Sequence, residues 1–185
     1  MKLVVYFFTM SSFLFFLGCF SSKESGSYQG DGKLTRLESP GLFGSSGWQI
    51  KFDDFSLSNK FNVDYSFSGL PQVDGLEEYK VYFYIPPSLH ASLLSDAILE
   101  MVLFVNGNLV SSCNGPMRDW ICSSFISNGA EFTNGDGLEK SYYCLKMKIP
   151  ALPENQYTLK VKYTPPITIS NDEIGYVYLS IGGYK

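Results

Sequence analysis

Two stretches decide the fold class: Phe61 to Phe67, FNVDYSF, and Tyr157 to Tyr163, YTLKVKY. In the first, Phe61, Val63, Tyr65 and Phe67 alternate with Asn62, Asp64 and Ser66. In the second, Tyr157, Leu159, Val161 and Tyr163 alternate with Thr158, Lys160 and Lys162. A period of two puts the apolar set on one face of an extended strand and the polar set on the other, whereas a helix needs a period near 3.6. Both stretches therefore predict half-buried strands.

Outward from these, β-branched and aromatic runs predict strands at Trp48 to Phe52, Tyr79 to Ile85, Ala97 to Val105, Leu109 to Cys113, Trp120 to Phe125, Ser141 to Ile149 and Gly175 to Ile181. Clusters of Gly, Pro, Asn and Asp separate them. Asn106-Gly107-Asn108, between two apolar runs, signals a hairpin, because Asn and Gly tolerate positive φ. Ile98 to Val105 is nearly all apolar and predicts a central strand covered on both faces. Only Pro87 to Asp96 offers room for a short helical turn. Even spacing of short strands favours one all-β antiparallel sandwich of about seven to nine strands over Trp48 to Lys185, large enough for its own core.

The start of the chain sets the compartment. Met1-Lys2 precedes the apolar run Leu3 to Leu17 and then Gly18-Cys19, the order of a signal peptide. As a helix, Leu3 to Gly18 would rise only about 24 Å, against a hydrocarbon core of about 30 Å. Phe16-Leu17-Gly18-Cys19 resembles the lipobox of bacterial lipoproteins, with Phe16 where Leu is usual and Leu17 where Ala or Ser is usual. The resemblance implies cleavage after residue 18, lipid on Cys19 (palmitate among its acyl chains) and a membrane anchor. Each buried methylene contributes about 0.8 kcal/mol, so two or three chains hold where one does not. Phe20, rather than Asp, after the cysteine implies the outer membrane by enterobacterial sorting. An ordinary secretory signal is the alternative, with Cys19 an exported thiol. Residues 19–47, after the signal peptide 1–18, read as a Gly/Ser-rich tether with a reach on the order of 30 Å, although Leu34 to Leu37 would also permit a strand lying on the domain.

The layout and the ending Gly182-Gly183-Tyr184-Lys185 resemble small exported lipoproteins with immunoglobulin-like sandwiches, a resemblance that implies that fold and no activity. The formal net charge of −4 becomes −5 once Lys2 leaves, which argues against nucleic acid and against charge-driven binding to anionic lipid.

Beyond Cys19, three cysteines allow one disulfide. Cys113 and Cys122 flank the turn residues Asn114-Gly115-Pro116 and form the first expected pair. Cys122 with Cys144 is the second, Cys144 lying in phase with Lys146 and Lys148. The single histidine, His90, has no nucleophile-elbow serine beside it. Cys113-x8-Cys122 is not a zinc spacing, and Asn134-Gly135-Asp136-Gly137 lacks the spaced ligands of a calcium loop. No cofactor and no metal site is expected. The remaining excess is aromatic. Tyr82, Tyr84, Tyr142, Tyr176 and Tyr178 fall out of phase with the apolar faces of their strands, so they either meet a second layer or form an outward platform. The function expected is a non-catalytic binding or structural module of the cell envelope with a protein or glycan partner. The alternative is a small envelope hydrolase using acid pairs such as Asp53-Asp54 or Asp172-Glu173.

The anchor is tested first. Cys19→Ser should move the protein from the membrane fraction to the soluble fraction, and a variant that stays membrane-bound removes the lipid-anchor reading.

Overall fold

The computed structural model describes residues 28–37, 47–73, 75–86, 89, 94–125, 139–166 and 173–182, with backbone alone for 122–125 and 139–140. The signal segment, Cys19, His90 and the Asn134 to Gly137 turn lie outside the described residues. Eleven strands are formed among the described residues: β1 (Gln29–Gly30), β2 (Lys33–Leu37), β3 (Gly47–Ser56), β4 (Phe61–Ser68), β5 (Glu78–Ile85), β6 (Ile98–Val105), β7 (Asn108–Pro116), β8 (Ile121–Phe125), β9 (Glu139–Pro150), β10 (Gln156–Thr164) and β11 (Ile174–Ile181). A 3-10 turn, Met117–Asp119, joins β7 to β8. One sheet has the order β1-β4-β10-β6-β7 and the other β2-β3-β11-β5-β9-β8. The chain is an all-β antiparallel sandwich, and the nine strands expected from alternation all form.

The connectivity follows from one turn. Asn106 has φ 51° and Gly107 φ 80°, the two positive values that a two-residue type I′ hairpin requires. Around this tip the strands pair as nested partners: β6 with β7, β5 with β9, β4 with β10, and β3 with β11. The folded ribbon then closes on itself through β10 with β6 and β11 with β5. That is the double Greek key of a jelly roll. Within the sandwich class it differs from the immunoglobulin order, which keeps strands A, B, E and D on one sheet and C, F and G on the other.

Two other expectations are corrected. Residues 28–37 are not tether: β1 pairs with β4 and β2 with β3, and Asp31 binds the Ser66 N–H with its carboxylate at 2.7 Å and the Ser66 carbonyl with its own N–H at 2.8 Å. The strand that Leu34 to Leu37 permit is β2, which lies at a sheet edge with only those two leucines half-buried. β6 is central but is buried on one face only. Leu99, Met101 and Leu103 are fully buried, while Ile98 stands 41 % exposed on the other face. There Lys160 lies over the Phe104 ring at 5.6 Å and Lys162 pairs with Glu100 at 3.8 Å, so lysine stems shield what a second layer would have covered.

The core between the sheets is largely aromatic. Phe52 of β3 stacks on Tyr65 of β4 at 4.2 Å, Phe55 meets Phe61 at 4.0 Å, and Phe83 of β5 meets Tyr163 of β10 at 5.4 Å. Such pairs contribute about 0.5–1.5 kcal/mol each beyond their area. Three buried phenols are satisfied by carbonyls in loops or at a strand end. Tyr163 donates to Leu57 at 3.0 Å, Tyr79 to Pro71 at 2.7 Å and Tyr157 to Pro150 at 2.6 Å, so the core pins three connections from inside. Among the described residues no buried side-chain polar atom lacks a partner.

Burial raises the pKa of Tyr79 and Tyr163 above the usual phenol range and, with Asp53 and Asp31 adding, pushes that of Tyr65 up to about 12. The folded state therefore keeps these protons when the unfolded chain has lost them. Their stabilisation is fully present below about pH 10 and is lost as pH rises through the folded value. Urea midpoints should fall between pH 10 and 12, less steeply in Tyr65→Phe, and a midpoint unchanged to pH 12 would contradict this. Separately, Asn106→Ala removes two side-chain bonds and strains a positive φ, and should cost about 1–3 kcal/mol by urea denaturation.

Candidate functional site

The second sheet carries two features on its outer side. On β5 the inward residues are Tyr79, Val81, Phe83 and Ile85, all fully buried, so Tyr82 and Tyr84 point away from the sandwich core. On β11, Val177 and Leu179 point in and Tyr176 and Tyr178 point out. The register places Tyr82 opposite Tyr178 and Tyr84 opposite Tyr176. Tyr82 and Tyr178 stack at 4.8 Å and 11°, Tyr84 and Tyr176 at 4.3 Å and 18°. Lys51 sits over the Tyr176 ring at 4.1 Å while pairing with Asp54 at 2.7 Å. Tyr178 also donates to the Ser141 hydroxyl at 3.0 Å.

This ladder is not a stacking platform. A platform offers ring faces, and here each ring spends a face on its cross-strand neighbour, while the Tyr178 hydroxyl is buried against Ser141. Tyr82 and Tyr178 are only 9 % and 6 % exposed.

Tyr142 is in a different place altogether. It pairs in register with Phe83 and belongs to the inter-sheet core. Tyr142 shares its sequence phase with Lys146 and Lys148, but β9 does not keep its alternation. Lys80 faces Lys148 and Tyr82 faces Tyr143, so two steps along β5 span five along β9. The bulge reverses parity: Tyr142 and Met147 both end inside, 6 % and 1 % exposed.

The same bulge forms the disulfide. It carries Cys144, Leu145 and Lys146 toward β7, an edge strand of the other sheet, where Cys113 bonds to Cys144 across a Cα separation of 6.6 Å. Ser111 reinforces the junction by donating to the Lys146 carbonyl at 2.8 Å. Both expected pairings, Cys113 with Cys122 and Cys122 with Cys144, are corrected. Nearness in sequence favoured them, whereas Cys122 belongs to β8, in register with Tyr142. The observed bridge spans 31 residues and ties sheet to sheet.

Beside the bridge, between β7, the 3-10 turn and β9, lies a cavity of about 380 Å³ lined by Ser112, Cys113, Asn114, Asp119, Trp120, Ile121, Tyr143, Cys144, Leu145 and Lys146. Its volume is in the lower range of small-ligand sites, roughly 300–1,000 Å³. Trp120 is a core residue and shows the cavity only an 8 % exposed remainder. Tyr143 joins the two features: its ring meets Tyr82 at 5.4 Å, Lys80 lies 5.7 Å from its centre, and it lines the cavity. Among the described residues, the side chains of Ser112, Asn114, Asp119 and Lys146 have no hydrogen bond or ion pair within the protein. Some surface charges elsewhere are paired, as in Lys148 with Glu78 at 2.8 Å and Lys160 with Asp64 at 2.9 Å. Sequence reasoning missed this site because the bulge that builds it is a tertiary feature. The available signal was the run Arg118-Asp119-Trp120, close after Cys113.

Among the described residues no group of three or more His, Cys, Asp or Glu is placed to hold a metal ion, and no helix is long and apolar enough to cross a membrane. Fold and site together define a jelly-roll sandwich with a lateral, disulfide-bordered pocket. No protein-family model and no curated protein matches the chain. Among solved structures it is similar to dimeric latent PorU from Porphyromonas gingivalis, at 20 % identity and a TM-score of 0.28, covering 88 % of this chain and 13 % of that one. It is also similar to a structure of infectious bursal disease virus, Gt strain, at 12 % identity and a TM-score of 0.24, covering 89 % of this chain and 35 % of that one. The chain thus spans a minor part of each, and at these scores neither similarity bears on function.

In the chain-entropy model a loop of this span contributes about 3–4 kcal/mol. Cys113→Ala with Cys144→Ala should lower unfolding free energy by that order, and a non-reduced digest should yield a Cys113–Cys144 peptide. A Cys113–Cys122 peptide in its place would overturn the pairing.

Proposed function

We propose that this protein is a non-catalytic binding module of the cell envelope, held to the membrane through lipid on Cys19, which engages an envelope partner at the β7–β9 pocket. The observation that carries the reading is a cavity beside the disulfide, walled by Tyr143 and Trp120 and bordered by the exposed charges of Asp119 and Lys146. Apolar walls with a few polar groups are what a ligand site requires. The disulfide and the Ser111 bond support the reading further, because they hold both walls in place and spare the site the ordering cost of a mobile loop. The outer tyrosine ladder serves as the backing of Tyr143, fixing its ring through Tyr82.

Retention of the purified protein on isolated envelopes of the cells that make it tests this. Asp119→Ala combined with Tyr143→Ala should weaken retention at least tenfold, while Lys162→Ala on the far sheet should bind as the wild type does. Equal retention of the pocket variant and the wild type would refute a partner at this site.

A further inference from the structure

We infer that the end of the sandwich carrying the β6–β7 tip rests on the lipid surface, seating Leu76, Leu109, Val110 and Leu152 among zwitterionic headgroups. The inference rests on the Cys19 anchor proposed above and goes beyond it by naming the end of the domain that meets the bilayer. Register gathers the loops concerned at one end. Gln29 of β1 and Gln156 of β10 both face Ser68, the last residue of β4, and Tyr157 faces Val105, the last residue of β6. In the other sheet the end of β9 faces the start of β5, Pro150 opposite Glu78. Hydrogen bonds lace the connections together. The Asn106 N–H donates to the Gln156 carbonyl at 2.8 Å and its amide to Asn155 at 2.9 Å. The Ala151 N–H donates to the Glu77 carbonyl at 2.8 Å, and the Gln72 amide to the Ala151 carbonyl at 2.9 Å. The β4–β5 loop, the tip and the β9–β10 loop thus form one fixed surface.

That surface holds apolar side chains out into water. Leu109 is 62 % and Val110 52 % exposed beside the tip, and Leu152 and Leu76 stand exposed in the two neighbouring loops. Exposed apolar groups collected on rigid loops mark a protein or membrane contact.

The entry of the chain decides between the two. β1 begins at this same end, where Tyr28 precedes Gln29, and the strand is pinned there. Gly30 lies so close to β4 that an added Cβ would stand 2.2 Å from the Ser66 carbonyl oxygen, and at Gly32 one would stand 2.9 Å from Ile50. Only Phe20 to Ser27 separate Tyr28 from Cys19. A segment of that length spans at most about 30 Å and as a Gly/Ser-rich coil averages about 15–18 Å. Lipid on Cys19 therefore holds this end nearest the headgroups, at an effective concentration in the mM range, where a patch too small to bind a membrane unaided still docks. The three loops carry acidic residues, Glu77 and Glu154 among them, and no Lys or Arg. They suit headgroups without net charge and not an anionic leaflet. With the tip docked, the pocket at Ser112 to Asn114 of β7 stands roughly 10–20 Å above the headgroups and opens sideways, at about 3.3 Å of strand per residue.

The test places the protein, purified from the membrane fraction, on phosphatidylcholine nanodiscs that contain a lipid with a nitroxide on its headgroup. Methyl resonances of Leu76, Leu109, Val110 and Leu152 should broaden at least threefold more than those of Ile98 and Ile174, which open β6 and β11 at the opposite end. Leu109→Ser with Val110→Ser should reduce the broadening at Leu76 and Leu152 at least threefold with an unchanged melting temperature, and Leu152→Ser provides the second variant if the first does not fold. Equal broadening at both ends, in protein whose mass includes the lipid on Cys19, overturns the docking and leaves the anchor standing. Methyls at the tip that stay sharp but shift with protein concentration assign the patch to a second copy and likewise overturn lipid docking. A mass without lipid on Cys19 overturns the anchor and the docking with it.

Discussion

The structure hangs on the hairpin tip at Asn106-Gly107. Its two positive φ values reverse the chain within two residues, and every later pairing of the ribbon is nested around that reversal. The tip is also held from outside. Asn106 exchanges backbone and side-chain bonds with Gln156, and its amide donates to Asn155 at 2.9 Å. The start of β10 is thereby placed beside the end of β6, in the register where Tyr157 faces Val105. A local turn thus aligns a non-local strand pair, and the outermost pairing, Trp48 with Ile181, joins nearly the two ends of the domain. Such pairings close large loops and come at high entropic cost, which is why a well-specified tip matters to them.

Aromatic residues serve two layers with different physics. Inside, Phe52, Phe55, Phe83, Tyr65 and Tyr163 interlock between the sheets, and the phenols reach outward to bind loop carbonyls. Outside, Tyr82, Tyr84, Tyr176 and Tyr178 pair across strands β5 and β11, covering the sheet with ring against ring in place of a third layer. The same residue type fills both because a phenol offers a large apolar body and one group that needs a partner.

The pocket is a by-product of irregularity. Had β9 continued its alternation, Cys144 would have stayed in the ladder and nothing would have bridged the two sheets at their β7 edge. The bulge at Cys144 to Lys146 makes one disulfide, one side-chain bond and one cavity at once. Bulges recur where a strand must re-aim a side chain, and here it is Tyr143 and Lys146 that are re-aimed.

Alternation in FNVDYSF and YTLKVKY sufficed for the all-β class, and Asn106-Gly107 for the hairpin, because period and turn chemistry are local properties of the chain. The outward phase of Tyr82, Tyr84, Tyr176 and Tyr178 was legible for the same reason: β5 and β11 keep their alternation at those positions. Tyr142 was not legible, since the slip in β9 that turned it inward is set by pairing with β5. Nor was the disulfide, because Cys113 and Cys144 meet only when two sheets stack. The strand that Leu34 to Leu37 permitted forms as β2, whereas its choice over a tether, and β1 beside it, came only from pairing with β3 and β4. What strands exist was determined by the sequence alone; which of them are neighbours, which faces close and where a pocket opens were decided only by the packing of one sheet on the other, since those contacts join residues that no local pattern relates.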